Sequence, residues 1–235
     1  MRSMTWNQVL TWALAALVLT FVVIMAINMV IIPPLLIFAV VFTGLIVALR
    51  RWSEKRWLYI VTAVLAAIVL VSNLPFILPD YGHPESFSTF VPAVVSTIAA
   101  LVAIAAAVAI AMGRAPEMAR PVGLGAAALV GVLVVLSVAM TATAGDDAMA
   151  DGDVVVVAEN VEYPERLEAA VGNVAFFVEN HDRVRHTFVI EGTDVKQELP
   201  AARDRRVEVN LTAGEYKFIC DVPGHERMEG TLVVK

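Results

Sequence analysis

Two different periodicities divide the chain. Residues 8–49 are apolar almost without interruption, broken only at Pro33-Pro34. A single helix over that run would be about 63 Å long at ~1.5 Å per residue, about twice the ~30 Å of a bilayer's hydrocarbon. Prolines remove backbone donors and push the preceding residue out of the helical region, so the pattern predicts a hairpin of two spans, about 8–31 and 34–50. Further apolar runs predict spans at about 57–78, 90–112 and 123–143. Five spans is the reading; four would result if 8–49 held one span and a re-entrant segment. Residues 144–153, "AGDDAMADGD", are small, acidic and aperiodic, which predicts a flexible linker. Beyond it the period falls to two. The runs 154–160, 173–180, 186–192, 205–211, 214–220 and 230–235 are rich in Val, Phe, Ile and Tyr and are punctuated by Gly, Asn, Pro and Asp. Such runs predict a β-sandwich of about seven or eight strands. In "GEYKFIC" the alternation sets Tyr216, Phe218 and Cys220 on one face and Lys217 and Ile219 on the other. The chain is thus read as a transmembrane helical region over 1–143, a linker over 144–151 and an all-β domain over 152–235.

Composition agrees with that division. Hydrophobic residues make up 59% and charged residues 17% of the 235, with mean hydropathy +0.75, a membrane protein's balance. The formal charge of −6 lies in the last 84 residues, where sixteen acidic side chains face ten basic ones. Lys and Arg give an orientation. Arg2, Arg50, Arg51, Lys55, Arg56, Arg114 and Arg120 fall on one set of connections and none on the other, which predicts a cytoplasmic N-terminus and, after five spans, an extracytoplasmic C-terminal domain. The apolar run from Val9 exceeds a signal peptide's h-region, and no small-x-small site precedes Pro33, so it reads as a retained span. The span interiors hold no Asp, Glu, Lys, Arg or His. Asn28 and Asn73 are their most polar residues, which argues against a proton relay, ion-coupled transport or a histidine-ligated haem there. The small residues Ala99, Ala103, Ala107 and Ala111, then Gly123, Ala127 and Gly131, predict close helix packing, within the chain or against another subunit. Met25 and Met29 are placed on one helix face, as core filling. No basic run suggests nucleic acid.

The chemistry is concentrated near the C-terminus. Cys220, the only cysteine, is followed within nine residues by His225 and Met228. A thiolate, two imidazoles and a thioether form the donor set that selects copper for electron transfer, with the thioether as a weak axial ligand. Of the remaining histidines, His186 opens a predicted strand and is the natural second imidazole; His181 falls on a loop and His83 on the connection between the third and fourth spans. Arg203, Arg205 and Arg206 read as a solvated strand end or a docking patch.

Taken together, "NHDRVRHTFVIEG" (180–192) and "GEYKFICDVPGHERMEGTLVV" (214–234) resemble the cupredoxins, the plastocyanin and azurin group of type 1 blue copper proteins. The matching pieces are NxDxxxH before a strand, GxYxFxC into the ligand loop, PGH within it and MxGxLxV leaving it. The resemblance covers about 152–235, and it implies a Greek-key sandwich with one copper held by His186, Cys220, His225 and Met228. Only Glu226 and Arg227 separate His225 from Met228, a shorter gap than azurin-like loops have and one also found in the copper domain of oxidase subunit II. Thr187 and Asn180 are expected to support the ligands, and Val222, Pro223, Gly224 and His225 to form the electron exit patch. A single cysteine and four histidines are too few for a binuclear copper site, a multicopper oxidase or a copper nitrite reductase. The expectation is therefore a non-enzymatic, membrane-anchored blue copper electron carrier on the outer face of a prokaryotic plasma membrane. Its partners would be the lipid bilayer and a redox protein such as a cytochrome or respiratory complex, with no small-molecule substrate. A copper-delivery protein and an accessory subunit of a respiratory complex are the alternatives.

Overall fold

The computed structural model describes residues 4–235, so Arg2 lies outside the described residues. It divides into two compact units, one of residues up to Tyr81 with Phe90–Ser137, the other of Gly82–Thr89 with Val138–Lys235.

The helical elements are α1 (Trp6–Ile27), α2 (Pro33–Arg51), α3 (Arg56–Ile77), α4 (Phe87–Met112) and α5 (Ala119–Thr143). All five are long and apolar enough to cross a membrane. Helix α1 opens on a reciprocal cap: Thr5 N donates to Gln8 Oε1 at 2.9 Å and Gln8 N to Thr5 Oγ1 at 3.4 Å. It ends four residues before the predicted boundary at 31, because Asn28 turns both its N–H and its side-chain amide back to Ile24 O and Met29 is left-handed at φ 52°. Met29 therefore lies past the helix and shares no helix face with Met25. Helix α2 starts on the proline pair, whose missing N–H groups fall where a helix needs none. Asn73 likewise donates to its own helix at Val69 O, 2.8 Å. Both asparagines thus satisfy local carbonyls, the cheapest arrangement for an amide in apolar surroundings. Phe21, Phe38 and Phe42 stack where α1 meets α2. Of the small residues expected to pack closely, Ala99, Ala103 and Ala107 are buried, whereas Ala127 and Gly131 are exposed.

The second unit holds β1 (Val154–Ala158), β2 (Arg166–Ala169), β3 (Gly172–Asn180), β4 (His186–Ile190), β5 (Lys196–Leu199), β6 (Arg205–Leu211), β7 (Gly214–Ile219) and β8 (Glu229–Val234). They form two sheets, ordered β1-β3-β6 and β2-β8-β7-β4-β5. The pairs β1/β3 and β2/β8 are parallel and the others antiparallel. Val156, Phe176, Val178 and Leu211 from the first sheet and Phe188, Phe218 and Leu232 from the second enter one core, which makes the sheets the two layers of a sandwich. Tyr163 lies edge-on to Phe188 and Phe218, with centroids 5.9 and 5.7 Å away. Gly230 lets β8 approach this aromatic cluster. A Cβ there would meet the Phe218 ring and Pro164 O, each at 2.3 Å.

The stretch expected to be a flexible linker makes long-range contacts. Asp146 accepts from Asp204 N (3.1 Å) and Asp147 from Arg206 N (2.9 Å), while Arg205 Nη1 donates to Gly145 O (2.9 Å). Asp153 takes a two-pronged bond from Arg206, at 2.8 and 3.0 Å. The arginines read as a solvated end or a docking patch are thus occupied by the linker's carboxylates and carbonyls, and the stretch lies along the start of β6. Periodicity could not show this, because charge pairing over more than fifty residues leaves no local pattern.

Candidate metal centre

Backbone geometry gathers the three loop residues. Cys220 follows the last residue of β7, and its N–H bonds Met228 O at 2.9 Å. Between them, His225 N returns to Val222 O at 3.0 Å. Pro223 and Gly224 occupy the middle of that turn, and Gly224 has φ 93°. A type II turn favours proline second and needs a residue tolerant of positive φ third, which explains the PG pair physically. Met228 N then closes onto His225 O at 2.8 Å. Three hydrogen bonds therefore fold nine residues so that Cys220, His225 and Met228 come together, and Met228 is buried in the same core cluster as Cys220.

His186, the first residue of β4, is fully buried and supplies the second imidazole. Its Nδ1 lies 3.1 Å from His225 Nδ1 and 3.9 Å from Cys220 Sγ, and His225 Nδ1 lies 3.6 Å from that sulfur. With metal–ligand bonds of about 2 Å, donors bound to one ion stand three to four ångströms apart. The three donors therefore fit a single ion, and soft thiolate with imidazole suits copper.

Electrostatics keep the donors neutral. Burial lowers the pKa of His186, against the nearby Asp182 carboxylate. Burial pushes His225 down to about 4, helped by the neighbouring His186 and Arg185. Both rings thus carry a free lone pair at neutral pH. Burial raises the Cys220 thiol, opposed by hydrogen bonds from the backbone N–H groups of Thr187 and Val222. A metal entering here must displace the thiol proton, so binding strengthens as pH rises.

Thr187 and Asn180 occupy different places around the three side chains. Thr187 N donates to Cys220 Sγ at 3.4 Å. Thr187 Oγ1 donates to Asp221 Oδ1 (2.7 Å) and accepts from Asp221 N (2.8 Å), tying β4 to the ligand loop. Asn180 is buried but touches none of the three donors. Its amide spans Val184 O, Leu199 O and Pro200 O at 2.9–3.3 Å, and its Oδ1 accepts from Asp182 N at 3.0 Å, so it holds the loop that leads to His186. Two acids escaped the sequence reading. Asp221 joins Thr187 to Lys196 Nζ (2.6 Å), and Asp182 Oδ2 meets His186 Nε2 (2.9 Å). Asp182 is the D of NxDxxxH, which was the only signal for it. His181 is half-exposed beside Glu179. His83 stands between Glu85 (3.1 Å) and Glu198 (3.7 Å), away from the three donors. Val222 and Pro223 are half-buried and Gly224 exposed beside His225.

Residues 127–234 match the family model of the cupredoxin-like domain. The chain carries a cupredoxin domain joined to an N-terminal region of five apolar helices. Among solved structures, a reduced mutant of amicyanin is similar at 22% identity and TM-score 0.32, over 37% of this chain and 86% of that one. The Cu(I) form of another amicyanin mutant is similar at 23% and 0.31, and an oxidised third at 24% and 0.30, with the same coverage. No curated protein matches.

Proposed function

We propose that this protein is a membrane-anchored carrier of single electrons, with one type 1 copper held by His186, Cys220 and His225 and Met228 as the weak axial ligand. The observation that carries this reading is the convergence of two imidazole Nδ1 atoms and one thiol, 3.1–3.9 Å apart, in a cupredoxin domain. Copper, when bound, would supply the one-electron couple. The protein's part is to hold the donors in place, to keep water from Cys220 and to present His225 beside Val222, Pro223 and Gly224 as the exit. The five helices anchor the domain in a prokaryotic plasma membrane with the N-terminus cytoplasmic and the copper domain outside. The seven-to-none distribution of Lys and Arg supports this orientation. The redox partner is a cytochrome or a respiratory complex. The full-length protein, purified in detergent and loaded with Cu(II), is expected to absorb intensely in the visible from thiolate-to-copper charge transfer, and Cys220→Ser should abolish the band. A colourless wild-type protein that takes up only Cu(I) would favour copper delivery.

A further inference from the structure

Asp182 is bonded at every polar atom. Its N–H donates to Asn180 Oδ1, and its C=O accepts from Ala202 N at 2.9 Å. Its Oδ1 accepts from Asn160 N at 2.8 Å, and its Oδ2 from Val161 N at 2.9 Å and His186 Nε2 at 2.9 Å. The three backbone donors share one property. Asn160, Val161 and Ala202 have φ of 58°, 60° and 52°, three of the five non-glycine residues with positive φ among those described. The left-handed region is costly for a residue with a Cβ and most of all for a β-branched one such as Val161. Such strain persists only where surrounding structure over-determines it, and it gathers at functional sites. Here it converges on one carboxylate, and that carboxylate faces the buried imidazole.

We infer that Asp182 is the positioning residue that presets His186 for its metal. An ionised carboxylate only accepts, so His186 Nε2 carries the proton and Nδ1 is left as a lone pair facing Cys220 and His225. Two consecutive left-handed residues point their N–H groups at the carboxylate and hold it from one side, and the Ala202 amide holds its backbone from the other. The strain is thus spent in fixing an outer-shell acceptor, and through it the tautomer and tilt of a ligand. Hydrogen bonding to a carboxylate makes a ligating imidazole a stronger donor, which favours Cu(II) over Cu(I). This inference rests on the proposed copper site, but its first readout does not need copper.

The test uses the full-length protein in detergent with ¹⁵N-labelled histidine. In metal-free wild type, His186 should appear as the Nε2–H tautomer alone; Asp182→Asn should give a mixture. Loaded with copper, Asp182→Asn should lose about 10–100-fold in Cu(II) affinity, the usual loss for an outer-shell partner, and its reduction potential should rise. Asp182→Glu, which keeps a carboxylate on this loop, should retain the Nε2–H tautomer that Asp182→Asn loses. Wild-type tautomer, affinity and potential in Asp182→Asn, even with a lower melting temperature, would reduce Asp182 to a turn fastener and overturn the inference. A wild-type protein with no blue copper would instead sink the proposed function, and the tautomer would still decide the role of Asp182.

Discussion

At the scale of single residues, Met228 offers the sharpest test of the ligand set. It is buried, and its backbone closes the ligand loop at both ends, so its position is secured whatever its sulfur does. If the thioether is the axial donor, Met228→Leu should keep the blue colour and raise the reduction potential, because losing a donor disfavours Cu(II) more than Cu(I). Met228→Gln, with a harder oxygen, should lower it. If the side chain only packs, both potentials stay at the wild-type value. Leu then costs under about 1.5 kcal/mol of stability, and Gln costs more because its amide is buried without partners. Voltammetry and thermal melting on the same two variants separate these cases. The donors Cys220, His225 and His186 were legible in the sequence because copper needs those atoms and the chain offers few. Asp182 and Asp221 were not. An aspartate near a turn reads as a turn residue, and its second role appears only when β4 brings His186 or Thr187 to it.

At the scale of elements, six of the eight strands follow from alternation, and the two that do not have a common cause. Strands β2 ("RLEA") and β5 ("KQEL") lie at opposite edges of the larger sheet, each bonded to one neighbour. Edge strands carry charge to discourage further pairing, and that erases the apolar signal by which strands are read. The helices were legible nearly to their ends, since each is a long apolar run bounded by prolines or charged residues. Within the sandwich, Gly230→Ala is expected to cost about 1–3 kcal/mol, because its methyl must displace both the Phe218 ring and a backbone carbonyl. Gly131→Ala, with open space around it, should be nearly silent, and melting temperatures compare the two. The linker gives a pH prediction. Hydrogen bonds from Arg206 hold the Asp153 carboxyl below the usual carboxylate range. A depressed folded-state pKa means stability that is fully present above the unfolded value near ~4 and lost as pH falls through the folded one. Arg206→Gln should therefore lower the melting temperature at pH 7 and lose less than wild type on going to pH 3. Parallel curves for the two proteins would refute the pairing.

For the whole molecule, topology is the first expectation. A reporter fused after Lys235 should be extracytoplasmic and one placed within residues 51–56 cytoplasmic; a cytoplasmic C-terminus would overturn both the orientation and the partners proposed from it. The linker's arrangement along β6 has a further consequence, in the kinetics of encounter. Arg203, Arg205 and Arg206 are the domain's densest run of cations, and the linker's carboxylates and carbonyls already engage them. What residues 152–235 present to a visitor is then governed by their excess of acids, sixteen against ten. Such a field draws in cations and turns anions away, by factors of 10–10³ in association rate at low salt. Reduction of the blue copper by a cationic ruthenium ammine should therefore slow as ionic strength rises, and reduction by ferrocyanide should quicken. The natural electron donor or acceptor should accordingly meet this domain with a lysine- or arginine-rich face.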